Sequence, residues 1–408
     1  MKKITVSGGK RLCGEVDVSG SKNAALPIIF ACILTKGVSE IRNLPDIGDV
    51  LVALDILKSF GAKITFLGGV AYIDTENLSY TEPSGSLVSK IRASTYLIGS
   101  CLARFGRCPI LSFGGCNFSK RPIDMHIDAC ISLGAELIDD ELIVKKLRGN
   151  FIDFKKQSVG ATVNALLMAS VAEGETIIGG GAREPHIDAL IEFLISCGAD
   201  IKRIGTDLCI KGRELHGGRI SIIGDMIEAG SYLVAGLITH GDVAVKNCPT
   251  EDMKAIFDAL NDIGSDVLIS DKSVKATMIK SKSINIIASP YPGFPTDLQP
   301  IFAPLLAAFS GGEIRDTVWQ TRFGYLDALS NFGVEYLLAD ASASIKPSII
   351  KNGVAISPDL RGGMACLLAA LSSKGDSEIY SAEVILRGYE DLDKKLSALG
   401  ADIKIENT

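Results

Sequence analysis

The stretch LKSFGAKI, at residues 57–64, recurs in five similar copies along this 408-residue chain. In each copy an amphipathic helical pattern runs into a glycine and continues at once as a strand pattern. Glycine readily adopts the left-handed conformation that ends a helix, so each copy predicts a helix, a left-handed glycine and a strand. The nearly constant spacing indicates internal duplication. The other copies are CISLGAEL (130–137), FLISCGADI (193–201), ALNDIGSDV (259–267), LSNFGVEY (329–336) and LSALGADI (396–403).

A second helical pattern lies upstream in each repeat and has no polar face. KNAALPIIFACIL (22–34) and GATVNALLMASVA (160–172) are examples. Such helices are predicted to be buried on all sides. Each is followed by a glycine and a short strand, so one repeat reads as strand, buried helix, strand, amphipathic helix, strand. Six repeats of this kind predict an α/β (α+β) protein in which sheets surround buried helices.

Two domains of three repeats each follow from this reading, because 408 residues exceed one ordinary core. The predicted domains are residues 20–222, and residues 1–19 together with 223–408. The first strand, ITVSGG, precedes the first repeat and is expected to pair with the second domain. The chain would then cross between the domains twice.

Composition excludes several classes of protein. With 47% hydrophobic and 22% charged residues the chain is not disordered, and a net charge of -6 argues against nucleic-acid binding. The longest apolar run, AALPIIFACIL, is about half a bilayer span, which predicts a cytoplasmic protein that does not enter the membrane. Ten dispersed cysteines without a C-x-x-C pair and four dispersed histidines predict core thiols and no metal site. The oligomeric state is not predicted.

Charged or hydroxyl side chains stand at the start of every buried helix. Helix starts offer free N–H groups and partial positive charge, so several starts in one cleft would bind phosphate and carboxylate groups. The alternative for each residue is a helix cap. The residues at the helix starts are Lys22, Arg92, Ser158, Glu228, Asp297, Asp359 and Arg361. The cations predicted to hold a small, doubly anionic substrate are Lys22, Arg92, Arg121, Arg322, Arg361 and Arg387.

Six stretches, in order and over the whole chain, carry a resemblance to a known family. They are SGSKNAALPI (19–28), GGCNFSKRPIDMHI (114–127), SVGATVN (158–164), AREPHIDAL (182–190), FPTDLQ (294–299) and RGYEDL (387–392). These stretches resemble the UDP-N-acetylglucosamine 1-carboxyvinyltransferase family of enolpyruvyl transferases. The resemblance implies a two-domain, inside-out α/β barrel fold of six repeated units. It also implies transfer of the enolpyruvyl group of phosphoenolpyruvate to the 3-hydroxyl of UDP-N-acetylglucosamine, with no cofactor and no metal. The sister family, 5-enolpyruvylshikimate 3-phosphate synthase, typically has Gly-Ser-Lys-Ser in its first motif and lacks the loop cysteine.

For the donor, the resemblance implies that Cys116 on a lid loop is the acid that protonates phosphoenolpyruvate. Nearby Lys120 and Arg121 would lower the pKa of its thiol, whereas exclusion of water would raise it. Asp297 would take or orient the proton of the attacking hydroxyl. Lys22, Arg121 and Arg387 would hold the phosphate, and Arg92, Arg322 and Arg361 would support the carboxylate. The implied catalytic residues are Cys116, Asp297, Lys22 and Arg387.

For the nucleotide sugar, the resemblance implies a second set of contacts. Weaker inferences are His126 and Glu184, for which a core or capping role is the alternative, and Asp359, which could support Arg361. The implied UDP-sugar residues are Asn23, Arg92, Arg121, Pro122, Ile123, Asp124, Met125, Lys156, Ser158, Val159, Gly160, Asp297 and Val318.

The second half of the chain departs from the family. Thr321 to Tyr325 read Thr-Arg-Phe-Gly-Tyr where members commonly show Asn-Arg-Phe-Met-His, Ile385 and Leu386 replace a polar pair, and Pro358 replaces a threonine. Three alternatives therefore stay open. They are an enolpyruvyl transferase with a different nucleotide-sugar acceptor, a 5-enolpyruvylshikimate 3-phosphate synthase, and a catalytically silent regulatory binding protein.

Overall fold

A computed structural model describes residues 2–111, 113–115 and 122–407. Their α-helices fall into a buried and an amphipathic series that alternate along most of the chain. The helices are α1 (Lys22–Ala31), α2 (Gly48–Ser59), α3 (Gly85–Val88), α4 (Leu97–Phe105), α5 (Asp124–Ser132), α6 (Val159–Ala169), α7 (Pro185–Ser196), α8 (Met226–Ile238), α9 (Lys254–Asp262), α10 (Gln299–Ala308), α11 (Tyr325–Ser330), α12 (Leu360–Ser372) and α13 (Leu392–Ala398).

The strands are short, and about half of them follow a helix directly. They are β1 (Lys2–Gly8), β2 (Cys13–Asp17), β3 (Val38–Arg42), β4 (Lys63–Leu67), β5 (Val70–Asp74), β6 (Arg107–Pro109), β7 (Glu136–Ile138), β8 (Glu141–Ile143), β9 (Phe151–Asp153), β10 (Glu175–Gly179), β11 (Asp200–Ile204), β12 (Asp207–Lys211), β13 (Arg219–Ser221), β14 (Asp242–Lys246), β15 (Ser265–Ser270), β16 (Ser273–Met278), β17 (Ile284–Ala288), β18 (Gly312–Asp316), β19 (Tyr336–Ala339), β20 (Ser342–Ile345), β21 (Val354–Ile356), β22 (Gly375–Tyr380) and β23 (Asp402–Asn407).

The predicted left-handed glycines are confirmed at all six repeats. Each has a φ between 83° and 102° and joins an amphipathic helix to the next strand. The backbone reverses there without the clash that a side chain would introduce. The six are Gly61, Gly134, Gly198, Gly264, Gly333 and Gly400.

The upstream helices are buried, as their apolar sequences predict. Every residue of α12 from Leu360 to Leu371 is buried, and only Met226 of α8 is not fully buried. The prediction that an α-helix begins at Arg92 was wrong. Residues Arg92–Tyr96 form a 3₁₀-helix, and the α-helix begins only at Leu97. The last turn of α4 is half-buried rather than buried.

Six separate sheets surround these helices, and the described strands do not close into a single barrel. In five of the sheets a strand that precedes a buried helix runs parallel to one that follows a buried helix, and hairpin strands add antiparallel pairs. The sheet orders are β13-β3-β5-β4, β6-β8-β7, β11-β12-β10-β9, β15-β16-β14-β2, β17-β18-β20-β19 and β21-β22-β1-β23.

The chain divides into two compact units. Unit I comprises the described residues 20–115 and 122–223, and unit II comprises residues 2–19 and 224–407. Strand β1 pairs with β22 and β23 of unit II, as expected. Strand β2 pairs in parallel with β14 of unit II, and β13 pairs in parallel with β3 of unit I. That each unit is an independent domain stays a prediction.

The described cysteines are free thiols, and most lie in the core as predicted. Cys13 is exposed and Cys209 is half-buried, whereas the other described ones are buried. No helix among the described residues is long and apolar enough to cross a bilayer.

Candidate active site

The predicted site residues are distributed over both units, and each unit is described by itself. Cys116 and Arg121, together with Lys120, lie outside the described residues. Unit I carries the predicted residues from Lys22 to Gly160, and unit II carries those from Asp297 to Arg387. That the two sets share one cleft stays a prediction.

Lys22 is the first residue of α1 and is fixed by a carboxylate from the next helix. The capping residue Ser21 accepts a hydrogen bond from the Ala24 N–H, at 3.4 Å. The Lys22 Nζ lies 3.3 Å from Asp49 Oδ2, and the two side chains are only 15% and 5% exposed. Asp49 therefore neutralises a mostly buried ammonium and sets its direction. An acidic residue in the first turn of a helix is common, so the sequence did not single out Asp49.

Arg92 starts the 3₁₀-helix that leads into α4. Its guanidinium is half-buried, and burial lowers its pKa below the ordinary value. The Thr95 hydroxyl donates a hydrogen bond to the Arg92 carbonyl at 3.0 Å, which fixes the first turn. Asn23, the second residue of α1, is half-buried.

Helix α6 begins at Val159, directly after Ser158, as its sequence predicts. Ser158 caps the helix by accepting a hydrogen bond from the Ala161 N–H at 3.3 Å. Val159 and Gly160 are half-buried in the first turn, and Lys156 just before them is exposed. A cation beside a helix start favours an anionic ligand.

The start of α5 carries the residues predicted to surround the uracil. Pro122 and Asp124 are exposed, whereas Ile123 and Met125 are half-buried. His126 follows and is 5% exposed. Burial, reinforced by the positive charge of Arg92, lowers the pKa of its imidazole to about 4. The ring packs against the start of α6, because a Cβ on Gly160 would lie 2.6 Å from His126 Cε1.

In unit II, Asp297 is clamped by two buried arginines. Arg322 Nη1 donates to Asp297 Oδ1 at 2.8 Å. Arg361 donates to Oδ2 through Nε at 3.3 Å and through Nη2 at 3.2 Å. The arginine side chains are 3% and 2% exposed, whereas that of Asp297 is 27% exposed. The structure thus brings three of the predicted residues together, with the carboxylate as the accessible member.

The predicted capping role of Asp297 was wrong. Helix α10 begins at Gln299, its N-cap is Leu298, and no side chain caps it. The Asp297 carboxylate binds guanidinium groups instead. Asp359, by contrast, caps α12 by accepting from the N–H groups of Arg361 and Gly362, at 2.9 and 3.1 Å.

Two further residues of unit II support this cluster and were missed from the sequence. Tyr389 places its ring 5.3 Å from the Arg361 guanidinium, in a cation–π contact, and shares a 2.7 Å hydrogen bond with Ser231. Asp316 accepts from the N–H of Val318 at 2.8 Å and from the Thr296 hydroxyl at 2.5 Å. It therefore fixes Val318, a predicted UDP-sugar residue, and the residue that precedes Asp297.

Arg387 is half-buried at the end of a 3₁₀-helix, Ala382–Arg387.

Glu228 is the third residue of α8, whose cap is Asp225. Lys395 Nζ donates to Glu228 Oε1 and to Ser19 Oγ, each at 2.7 Å. Burial raises the pKa of Glu228 to about 7, against the opposing pull of Lys395. Glu228 thus ties α8 to α13 and to the segment after β2.

A cavity of 690 Å³ in unit I does not involve the predicted residues. It lies at the C-terminal ends of α4 and α6, whereas the predicted residues stand at helix starts. Within the described residues no group of His, Cys, Asp and Glu could hold a metal ion. The cavity is lined by Leu34, Lys36 and residues 102–106, 144–147, 171–173 and 212–215.

Comparison with known proteins identifies the family. The sequence profile of the EPSP synthase (3-phosphoshikimate 1-carboxyvinyltransferase) family matches residues 6–396. A UDP-N-acetylglucosamine 1-carboxyvinyltransferase from Halothermothrix orenii is 39% identical over 412 residues, which cover 99% of each chain. A UDP-N-acetylglucosamine 1-carboxyvinyltransferase 3 from Caldanaerobacter subterraneus subsp. tengcongensis is 40% identical with the same coverage. The chain belongs to the UDP-N-acetylglucosamine 1-carboxyvinyltransferase family of enolpyruvyl transferases.

Solved structures confirm the enolpyruvyl transferase fold. The enolpyruvyl transferase NikO from Streptomyces tendae matches with a TM-score of 0.88 at 25% identity, covering 100% of this chain and 99% of that one. An EPSP synthase from Acinetobacter baumannii shares the fold, with a TM-score of 0.75 at 18% identity over the full length of both chains.

One of the departures from the family's usual sequence lies in the core of unit II. Tyr325, where the family commonly has histidine, is 1% exposed, and its hydroxyl has no hydrogen-bond partner among the described residues. Its side chain begins close to α12, since a Cβ on Gly362 would lie 2.7 Å from Tyr325 Cβ. The substitution therefore sits beside the helix that carries Arg361.

Proposed function

We propose that this chain transfers the enolpyruvyl group of phosphoenolpyruvate to the 3-hydroxyl of UDP-N-acetylglucosamine and releases phosphate. This reaction is the first committed step of peptidoglycan synthesis. The proposal rests on the full-length relatives that bear that name. It also rests on the preserved charged residues of both units. A cytoplasmic location is part of the proposal.

The observation that carries the proposal is the clamped carboxylate of Asp297. Oδ1 accepts from Arg322 and Oδ2 accepts twice from Arg361, while the Asp297 side chain stays 27% exposed. The partly exposed carboxylate can therefore accept a hydrogen bond from the acceptor hydroxyl, while Arg322 and Arg361 hold it in place. This arrangement suits a group that orients the hydroxyl for attack.

On the donor side, the oxygen of the 3-hydroxyl bonds to C2 of phosphoenolpyruvate as its O–H bond breaks and its proton passes to the Asp297 carboxylate, while C3 gains a proton. Loss of a proton from C3 and breakage of the C2–O bond to phosphate then give the product. Cys116 is the proposed proton donor to C3. Lys22, Arg121 and Arg387 are proposed to hold the phosphate and to offset its growing charge as it leaves.

On the acceptor side, the start of α6 is proposed to receive the diphosphate. The N–H groups of its first turn and the nearby Lys156 supply positive potential, and the first turn contains no acidic residue. The first residues of α5, from Pro122 to Met125, are proposed to border the uracil. Val318, held by Asp316, completes the set in unit II.

The test is phosphate release from phosphoenolpyruvate, measured with UDP-N-acetylglucosamine, with other UDP-sugars and with shikimate 3-phosphate. Release with UDP-N-acetylglucosamine alone supports the proposal, and release with another acceptor assigns the chain to that acceptor instead. No release with any of them favours a silent binding protein. Cys116→Ala is the matched inactive variant, and full activity in it would exclude the acid role of the thiol.

A second experiment addresses Cys116 directly. An epoxide phosphonate of the fosfomycin type is expected to alkylate this thiol and stop turnover. Mass spectrometry of digested protein locates the adduct. An adduct on exposed Cys13 alone, with activity retained, would contradict the proposal.

A further inference from the structure

Asn164 connects four elements of unit I through one side-chain amide. It lies in α6 with no exposed surface. Its Oδ1 accepts from the Gly99 N–H of α4 at 2.9 Å, and its Nδ2 donates to the Thr95 carbonyl at 3.0 Å. The same Nδ2 lies 2.7 Å from Nδ1 of His126 in α5.

These contacts fix the proton of the His126 ring. A backbone N–H can only donate, so the atom that faces Gly99 is the amide oxygen and the other atom is the amide nitrogen. A carbonyl can only accept, so one amide hydrogen points to Thr95 and the second points to His126. Nδ1 must then offer a lone pair, which places the ring proton on Nε2.

The protonated nitrogen faces the start of α6. A Cβ on Gly160 would lie 2.8 Å from Nε2, and only glycine leaves this approach open. Among the described residues none accepts a hydrogen bond from Nε2. The ring is neutral near pH 7, because burial lowers its pKa to about 4. A neutral N–H donor therefore stands beside the free N–H groups of the helix start.

We propose that Asn164 is a positioning residue that holds His126 as the Nε2–H tautomer, and that this N–H donates to an anionic oxygen of the nucleotide. The second half of this inference rests on the proposed function. The opposite tautomer would present a lone pair to the same oxygen and repel it. Asn164 and His126 also connect Arg92, through Thr95, to the starts of α5 and α6, where the uracil and the diphosphate are proposed to bind.

Nitrogen NMR of the wild-type protein tests the tautomer without any assumption about activity. In protein labelled with ¹⁵N-histidine at pH 7.5, the His126 signals, assigned by their loss in His126→Gln, should show Nε2 protonated and Nδ1 unprotonated. Protonation of Nδ1 would overturn the assignment. Addition of UDP should shift the Nε2 signal, and UDP that binds without shifting it would overturn the ligand contact.

Kinetics with a matched pair of variants separates a hydrogen-bond role from a packing role. His126→Leu keeps the bulk and loses the donor, so its KM for the nucleotide sugar should rise about tenfold, with a smaller change in the KM for phosphoenolpyruvate. His126→Gln can place an amide N–H near the Nε2 position and should recover most of the loss. Equal KM values for the nucleotide sugar in wild type and His126→Leu would refute the contact. If the proposed function is wrong, the wild type will show no turnover. The NMR measurement still tests the His126 tautomer, because it does not depend on turnover.

Discussion

Lys22 owes its position to a partner 27 residues away in sequence. Replacing Asp49 with Asn keeps the size of the side chain and removes its charge, so the ammonium loses its compensating carboxylate. We expect Asp49→Asn to raise the KM for phosphoenolpyruvate about tenfold, since a contact to a charged group is worth about 1.5–3 kcal/mol. Steady-state kinetics with saturating nucleotide sugar measures this.

The control for Asp49 is the exposed pair of Lys58 and Asp55 on the same helix, whose side chains are 53% and 54% exposed. Asp55→Asn should leave the KM for phosphoenolpyruvate unchanged, because exposed ion pairs contribute little. If both variants behave alike, Asp49 does not position Lys22.

His126 makes the stability of unit I depend on pH. In the unfolded chain histidine takes up a proton near pH 6.5, whereas the pKa of the buried imidazole is about 4. Between these values the unfolded state binds more protons, so stability is fully present above pH 6.5 and is lost as the pH falls toward 4. The loss at pH 5 is about 2 kcal/mol.

Urea unfolding at pH 7.5 and pH 5 measures this loss, with His126→Gln as the reference that lacks the titrating ring. Other titrating groups cancel in the comparison of the two proteins. An equal drop in both would contradict the assignment of a depressed pKa to His126.

Residue types at helix starts were readable from sequence, but their partners were not. Ser158 and Asp359 cap their helices as their positions suggested. The roles of Asn164 and Tyr389 were not predicted, because no local sequence pattern indicates the partners of a buried asparagine in an apolar helix or of a single tyrosine. Asp297 looked like a cap and instead binds two arginines, 25 and 64 residues away. Contacts of this range are decided by packing.

At the scale of elements, two left-handed glycines of unit II form a matched pair. Gly264 and Gly400 have φ values of 97° and 99°. A Cβ on Gly400 would have 3.9 Å to its nearest neighbour, whereas one on Gly264 would lie 1.9 Å from the Lys280 carbonyl oxygen. Gly400→Ala should therefore cost about 1 kcal/mol of stability from backbone strain alone.

Gly264→Ala adds a backbone clash to the same strain and should cost about 3 kcal/mol or more. Chemical denaturation monitored by circular dichroism gives both values. Equal losses of stability in the two variants would show that the atoms around Gly264 move to admit the methyl group, and that backbone strain alone determines the loss.

The elements themselves were predictable where the signal is local. A glycine that ends a helix and an apolar helix that must be buried can each be recognised from a short stretch of sequence. The predictions of left-handed glycines and of buried helices were both confirmed. The 3₁₀ turn at Arg92 and the pairing of β2 with β14 were not foreseen. The first depends on a few hydrogen bonds, and the second joins segments more than 200 residues apart.

At the scale of the whole molecule, unit I is an insertion into unit II. The Asp225 N–H donates to the Ser19 carbonyl at 2.9 Å, so the two ends of unit II meet where unit I is inserted. The Ser21 N–H likewise donates to the Ile223 carbonyl at 2.7 Å within unit I. Replacing residues 20–223 with a short glycine linker should leave unit II able to fold.

A cooperative thermal transition and dispersed NMR signals of the shortened protein would support this expectation. Residues 20–223 expressed alone provide the matching test for unit I. A shortened protein that shows only a gradual, non-cooperative transition would mean that unit II depends on unit I for its fold.

The pairing of β1 with β22 and β23 has a consequence for synthesis on the ribosome. Strand β1 is translated before both of its neighbours, which lie in the segment from Gly375 onward. A growing polypeptide must therefore carry that strand unpaired while nearly all the rest is translated. Any product that terminates before Gly375 would therefore expose the unpaired edges of β1.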